Sequence, residues 1–600
     1  MKFSVSLLIS VLFCLPVSLF ASGNQQHPFE YLYPLPNTQH HNTQTTLILR
    51  TGYALTDTDM RLLGTTQIID TEGNLQTFSV TTARNRQVAI LNFKKPLPSN
   101  TYIHVHFPTT LRGSNQQPIG RFEYGFGVGD ITPAQVPQPT ILRDTIYPTY
   151  HPNLEFIQYA PTSSEGELLL ALPAYGNYRM MITDNDANLI KSKNEYIVSE
   201  FKFHKNNELT ATQIIPLPAD NYSYYHILDT ALNKVTTIKP KNGFENQGDL
   251  HDIIVTDSSF IVPVWERITT DLTYLGGLPN CRVNWAIIQE IDRETDQVVF
   301  VWRAFDYFQV TDTDSDDFSG ATIDPIHLNS LDLDSTGNLL VSFRSMSEIT
   351  KINRTTGNII WRFSGKNNQF TFIDDPLNGT SYQHHARYLP NGHITVFDNG
   401  NSRPIANTRA VEYELDETNK TARLIWSCPS PNEKPTIAMG SIQTFPDGSR
   451  LISWGRIMQA DPIVVTEIDN NCNILFQIRI KEPLSANTGN YNLYRVYRFP
   501  WLQFLANYTS HTTTQLPTHT VQASPNPCTD KLQLILPPAY INQLTTLTLT
   551  DAQGRIVQQI QNTPSAGTPI HVSTQHLAAG IYFYHITSTQ ASTTGKFIKK

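Results

Sequence analysis

The strongest constraint on this chain's fold is a repeat. Lines of sequence beginning at His251 (HDIIVTDSSFIVPVWE), His327 (HLNSLDLDSTGNLLVSFR), His384 (HHARYLPNGHITVFDNG) and Gly440 (GSIQTFPDGSRLISWGR) align with one another. Each reads as a strand, a polar turn and a second strand. Each is followed by a third extended run (AIIQEID, EITKINR, AVEYELD, IVVTEID) and a fourth (QVVFVW, NIIWRF, ARLIW, NILFQI). Four antiparallel strands recurring every ~55–75 residues specify the blades of a β-propeller. Two weaker units, at 155–200 and 204–240, precede the four clear ones. The expectation is a six-bladed propeller over residues 150–505.

The flanks differ from the repeat. Residues 24–131 contain the runs TTLILRTGYAL, TTQIID, QTFSVTTA, QVAILNFKKPLP, TYIHVHF and FEYGFGV, which have the length and strand count of an immunoglobulin-like β-sandwich. A Pro-rich linker, 132–149, follows, and a Thr-rich linker spans 506–520. The chain is therefore read as all-β. Residues 1–22 carry one Lys, a long apolar run and then small residues, the pattern of a secretory signal peptide cut near Ala21–Gly23. Pro16 and the lack of stop-transfer charges weigh against a retained span. No later segment approaches the ~20 apolar residues of a spanning helix, so a mature protein without a transmembrane segment is expected. The net charge of −8 is dispersed, with no basic patch suited to nucleic acid. Cys281, Cys428, Cys472 and Cys528 lie far apart, with no CxxC pair, and neither a disulfide nor a zinc site follows from their spacing.

The repeat also predicts a site. In a propeller the first strand of each blade lines the channel, and equivalent positions are related by rotation about one axis. His251, His327 and His384 each open a first strand, so they converge on one mouth. The second strand returns antiparallel, which brings Arg344 back to that mouth. Asn329, two residues after His327, shares its strand face. Trp265–Glu266, Asp398–Asn399 and Trp454–Arg456 hold the return position in other blades. Alternation sends His385 to the face opposite His384, to pack between blades. Three imidazoles could ligate a metal, but Arg344 beside them disfavours a second cation. A mouth rich in Arg, His and Asn donors suits an oxyanion such as sulfate or phosphate.

The stretch from DPIHLNSLDLDSTGNLLVSFRSMSEITKINRTTGNIIWRFSG through SYQHHARYLPNGHITVFDNG to YRVYRFP resembles the bacterial arylsulfate sulfotransferase family. The resemblance implies transfer of a sulfuryl group from an aryl sulfate donor to a phenolic acceptor through a sulfohistidine, with no nucleotide sulfate donor and no cofactor or metal. It implies His384 as nucleophile and His327 as general acid and base, with Arg344, Asn329 and His251 holding the sulfuryl oxygens. Residues 521–600, with SPNP, TDAQGR, GIYFY and KFIKK, resemble the C-terminal sorting domain of type IX secretion in Bacteroidetes-type bacteria. That resemblance implies a secreted or cell-surface location and the type IX machinery as partner. A different reading of the same propeller is a non-catalytic surface protein that binds an anionic or glycan ligand. A third is a metal-dependent hydrolase using the same histidines. The acidic loop with Asp312, Asp314 and Asp316 has calcium-loop spacing but lacks the Gly and the Glu of such a loop, so a solvated loop is expected. Trp302, Trp361 and Trp426 recur in fourth strands and are expected to pack between blades.

Overall fold

Six antiparallel sheets follow one another around a central channel. From the channel outward, blade one is Val496–Phe499, Glu167–Ala174, Asn177–Thr183 and Leu189–Asn194. Blade two is Ile197–Phe203, Leu209–Pro216, Asn221–Leu228 and Lys234–Ile238. Blade three is Ile254–Val255, Ser259–Thr270, Cys281–Asp292 and Val298–Arg303. Blade four is Leu328–Leu333, Leu339–Phe343, Glu348–Ile352 and Ile359–Ser364. Blade five is His384–Tyr388, Ile394–Asp398, Arg409–Asp416 and Thr421–Pro429, and blade six is Ser441–Thr444, Arg450–Ser453, Ile463–Ile468 and Ile474–Ile480. The computed structural model describes residues 27–129, 154–510 and 521–600, apart from 161–165, 175–176, 187, 195–196, 217–220, 433, 459–461, 481–490, 537–543, 552–554, 565–568 and 588–591. The expected signal peptide and Pro-rich linker lie outside the described residues. The stretch read as a Thr-rich linker begins within a helix, Trp501–Ser510, and continues outside them.

Blade one is not the uninterrupted unit the repeat suggests. The strand Leu154–Gln158 adds to the outer edge of blade six, against Ile474–Ile480. The innermost strand of blade one comes from Val496–Phe499, near the other end of the propeller sequence. Both ends thus close the ring by strand pairing, which removes two exposed sheet edges.

The hairpins form where the turn chemistry dictates. In blade four, Asp334 Oδ1 accepts from the backbone N–H of Thr336 at 2.9 Å and of Asn338 at 2.8 Å. The same Asp-x-x-x-Asn arrangement closes turns at Asp184, Asp229 and Asp469. In blade four the left-handed position before the Asn is Gly337 (φ +86°). Between blades, Trp302 and Trp361 are fully buried. Trp426 stacks under Arg450, 4.0 Å from the ring centre, and donates from Nε1 to Asn470 O at 3.1 Å.

The N-terminal sandwich pairs Tyr31–Tyr33, Leu47–Arg50, Val88–Phe93 and Phe78–Ala83 in one sheet, and Gln67–Asp70, Thr101–His106 and Glu123–Val128 in the other. This is the ABED/CFG order of a constant-type immunoglobulin domain. The strand Tyr31–Tyr33 and the helix Asp57–Leu63, capped by a reciprocal Thr56–Asp59 box, add to the expected runs. The sandwich is fastened to the propeller. Tyr31 Oη donates to Val301 O at 2.7 Å and accepts from Val301 N–H at 2.8 Å. Glu290, fully buried in blade three, takes Arg84 of the sandwich and Arg354 of blade four. The chain divides into two compact units, Met1–Gln503 and Phe504–Lys600. The second is a small β-sandwich with sheets Gln522–Ser524, Lys531–Ile535, Ile570–Ser573 and Ile556–Asn562, Thr545–Thr550, Gly580–Thr587, Ser592–Lys599. Among the described residues no helix is long and apolar enough to cross a membrane.

Candidate active site

The hairpin His384–Tyr388/Ile394–Asp398 places His384 opposite Phe397, so Asn399 returns beside it. Asn399 Oδ1 lies 2.7 Å from His384 Nδ1, while its Nδ2 donates to the carbonyls of Met439 at 3.0 Å and Thr436 at 3.4 Å. Those two carbonyls fix the amide orientation, so Oδ1 must accept and His384 Nδ1 must carry the proton. Nε2 is therefore the lone-pair nitrogen, and it accepts the backbone N–H of Met439 at 3.1 Å. His384 is 3% exposed. Burial holds its pKa well below the usual histidine range. Arg344 adds to that, the Asn399 bond opposes it, and the His327 and His251 charges push the same way. His384 is a neutral imidazole.

The other two histidines are built alike. His327 Nδ1 lies 2.5 Å from Asp324 Oδ2, and Asp324 Oδ1 accepts the His327 backbone N–H at 3.1 Å. His251 Nδ1 and backbone N–H both bond Asp249 Oδ1. A carboxylate on Nδ1 orients each ring and leaves Nε2 to face outward. The two rings are 4.7 Å apart between centroids, nearly edge to face. Trp265 stands 6.1 Å from His327, and Tyr494 stands 5.9 Å from His251. His327 keeps about a quarter of its side chain exposed, so the mouth opens on its side.

Arg344 follows the second strand of blade four, and its N–H donates to His327 O at 2.9 Å. Its guanidinium lies over the Tyr382 ring at 4.7 Å, and Nη2 donates to Ile437 O at 3.2 Å. Among the described residues no carboxylate pairs with it, and its Nε is buried without a partner. Burial lowers its pKa, and the Tyr382 and Asp324 charges oppose this. The Tyr494 hydroxyl is likewise buried without a partner. Several residues around the mouth sit in the left-handed region: His327 (φ +48°), Tyr382 (φ +49°) and Met439 (φ +67°). Such strain, on the order of 1–3 kcal/mol each, persists only where the surroundings enforce it.

Of the residues expected at one mouth, His251, His327, Arg344 and His384 come together with Trp265 and Asn399, while others do not. Asn329 is fully buried beneath them. Its Nδ2 donates to Gln383 O at 2.7 Å, and its backbone carbonyl accepts Arg495 Nη2 at 2.7 Å. It ties blade four to the residue before His384, and a bulge between Leu328 and Ser330 breaks the alternation that would align it with His327. Asp398 is consumed by Arg403 at 2.6 Å and Arg409 at 2.8 Å, and Glu266 by Arg303. Trp454 donates to Thr466 inside blade six.

His385 does lie between blades, against the innermost strands of blades six and one. It sits at φ +51° in a bulge between His384 and Arg387. Its Nε2 lies 3.2 Å from Tyr497 Oη, and its Nδ1 accepts the Ile442 N–H at 3.2 Å. It belongs to a buried axial cluster in which Lys202, Arg387 and Arg495 face Glu200 and Asp252. Of the acidic loop, Asp312 pairs with Arg362 at 3.3 Å, Asp314 accepts from Ser347, and Asp316 is exposed.

Sequence reasoning missed Asp249, Asp324, Met439 and Tyr494. The two aspartates lie two and three residues before their histidines, in DLH and DPIH, close enough to have been noticed. Met439 acts through its backbone, which leaves no signal in residue type.

Residues 217–481 match the family model for arylsulfotransferase (ASST). The matched stretch lies within the propeller. Residues 523–600 match the secretion system C-terminal sorting domain, which marks the chain for secretion to the cell surface or beyond and implies the type IX machinery. No curated protein matches the chain. Solved structures similar to it include a protein of unknown function from Bacteroides caccae (10% identity, 56% of this chain and 98% of that one, TM-score 0.34). The periplasmic gluconolactonase PpgL of Pseudomonas aeruginosa matches at 10% identity over 68% and 99% of the chains, TM-score 0.32. PorZ, a surface component of the type IX secretion system of Porphyromonas gingivalis, matches at 11% identity over 84% and 69%, TM-score 0.28. Likenesses this distant carry no argument about activity.

Proposed function

We propose that the chain is a secreted aryl sulfotransferase working through a sulfohistidine at His384. The observation that carries this reading is a mostly buried guanidinium, Arg344, with no carboxylate partner among the described residues, beside a neutral His384 whose lone pair is on Nε2. An unpaired buried cation is stabilised by an anion, and a sulfate ester brings one.

In the first half-reaction Nε2 of His384 attacks the sulfur of an aryl sulfate. The N–S bond forms as the bond from sulfur to the aryl oxygen breaks, and His327 gives the leaving phenolate its proton. Arg344, the Tyr494 hydroxyl and His251 donate to the sulfuryl oxygens as charge builds there. The Met439 N–H, released from Nε2, is left facing the same oxygens. In the second half-reaction His327 takes the proton of a phenolic acceptor, whose oxygen attacks the sulfur and frees His384. Asp324 and Asp249 each accept from Nδ1, so the proton that His327 or His251 donates in these steps is a second one, carried on Nε2. Asn329 acts as a positioning residue through Gln383 rather than as an oxygen ligand.

The test is incubation with 4-nitrophenyl sulfate and a phenol, followed by intact-mass analysis. A sulfuryl adduct that forms with donor alone, vanishes on adding acceptor and is absent in His384→Ala supports the reading. Neither adduct nor turnover across a panel of aryl sulfates, with tight binding of the same esters, would replace it with the non-catalytic anion-binding reading.

A further inference from the structure

Blade five ends in the strand Thr421–Pro429, and blade six carries the turn Asp469–Asn473. The turn is docked on the strand. Besides the Trp426–Asn470 bond, Cys472 Sγ lies 3.7 Å from the carbonyl oxygen of Ser427, the residue before Cys428. Cys428 is 6% exposed, in the core shared by the two blades, and Cys472 packs against the same core. Cys472 lies close enough to Cys428 to help raise that thiol's pKa. Both are reduced in this structure.

The turn itself does not call for a cysteine. Position 472 is left-handed (φ +61°), where the equivalent turn of blade four uses Gly337. Any Cβ there meets the strain that Gly337 avoids. What Cys472 gains there is reach to Cys428.

We propose that Cys428 and Cys472 form a disulfide once the chain is exported, riveting blade five to blade six. The sorting domain supplies the compartment, since outside the cytosol disulfides form and persist. The oxidant is a second disulfide, on a thiol–disulfide oxidoreductase or an oxidised low-molecular-weight thiol. The Cys472 thiolate, on the half-exposed side, attacks one of its sulfurs and expels the other as a thiolate. The Cys428 sulfur then attacks Cys472, displacing the remaining carrier sulfur. Two protein S–H bonds are lost and one S–S bond is made. The two electrons and two protons leave on the carrier dithiol. Burial and the neighbouring Cys472 raise the Cys428 thiol's pKa, which makes Cys428 the resolving partner rather than the first attacker.

The rivet has a consequence for the site. Blade five supplies His384 and Asn399, and Met439, just before the first strand of blade six, bonds Nε2. A covalent tie between the blades fixes that juxtaposition.

The experiment takes the mature chain recovered from outside secreting cells, alkylates it under denaturing conditions without reductant, and maps the peptides. The expected result is a joined Cys428–Cys472 peptide pair, two hydrogens lighter than the reduced pair, with Cys281 and Cys528 alkylated. Alkylation of both Cys428 and Cys472, also after equilibration with oxidised glutathione, would overturn the proposal, as would pairing with another cysteine. Reductant should lower the Tm of the wild-type chain by a few degrees and leave Cys472→Ser unchanged. An equal drop in both would also overturn it. Neither measurement depends on sulfotransferase activity.

Discussion

A histidine attacks sulfur only as the neutral ring with its lone pair on the attacking nitrogen. Two carbonyls that orient Asn399, and the Met439 N–H on Nε2, impose that state on His384. His384→Ala should lower turnover by on the order of 10³-fold or more, while the fold survives by circular dichroism. Loss of less than tenfold would move the nucleophile elsewhere. The pH dependence has a definite sign. Burial first, then the Arg344 charge, holds His384 well below the usual histidine range. On the proposed mechanism the acid limb of kcat/KM set by His384 should therefore lie below that range, with the nucleophile competent through mildly acid pH. In Arg344→Met the opposing cation is gone, the imidazole protonates more readily, and the acid limb of the residual activity should move to higher pH. An unmoved limb would separate Arg344 electrically from His384. At this scale the sequence was readable where rotation does the work. His251, His327 and His384 meet because they occupy one repeat position. Tyr494 was hidden because nothing in its residue type distinguishes a buried orphan hydroxyl from a core phenol.

Elements are where simple periodicity failed. Alternation holds along a strand only while the ladder is regular, and two bulges interrupt it at the site, between Leu328 and Ser330 and between His384 and Arg387. They drop Asn329 beneath the mouth and turn His385 into the axial cluster. A one-residue bulge leaves no mark in a pattern of apolar and polar residues, so the depth of Asn329 and the cluster around His385 were not legible. The attachment of the sandwich was equally silent, because Arg84, Glu290 and Arg354 lie in separate segments and only the fold makes them neighbours. Burial alone would raise the Glu290 carboxyl, but the Arg354 hydrogen bond and the Arg354, Arg84 and Arg50 charges outweigh it and hold it at about 2. A carboxylate so depressed contributes stability that is complete above the usual glutamate range and is lost as pH falls toward 2. Glu290→Gln leaves buried guanidiniums uncompensated and should cost about 3 kcal/mol at neutral pH. The gap between variant and wild type in urea midpoint should shrink as pH is lowered through 4 toward 3. A gap that is constant with pH would mean Glu290 acts by packing, not charge.

On the scale of the whole molecule the ring closes through its two ends. Local repeats could reveal the blades, because five of the six are written contiguously. They could not reveal that Leu154–Gln158 completes blade six and Val496–Phe499 begins blade one, since strand pairing across the length of a domain has no local signature. The closing segment carries more than an edge. Tyr494 faces His251, Arg495 bonds the Asn329 carbonyl and pairs with Glu200 and Asp252, and Tyr497 meets His385. Removing it opens the ring and empties the axial cluster of one of its three cations in a single step. Two truncations separate this from the sorting domain, which belongs to the other compact unit. A chain ending after residue 510 keeps the closed ring with all its site residues. It should unfold cooperatively and turn over aryl sulfate as the full chain does, while failing to reach the cell surface. A chain ending after residue 490 lacks the innermost strand of blade one and leaves Glu167–Ala174 as a bare channel-side edge. It should lose the cooperative thermal transition, or aggregate, and show no turnover. If the shorter chain melted like the longer one, closure by Val496–Phe499 would not be what holds the propeller together. If it also retained turnover, Tyr494 and Arg495 would have no part in the site.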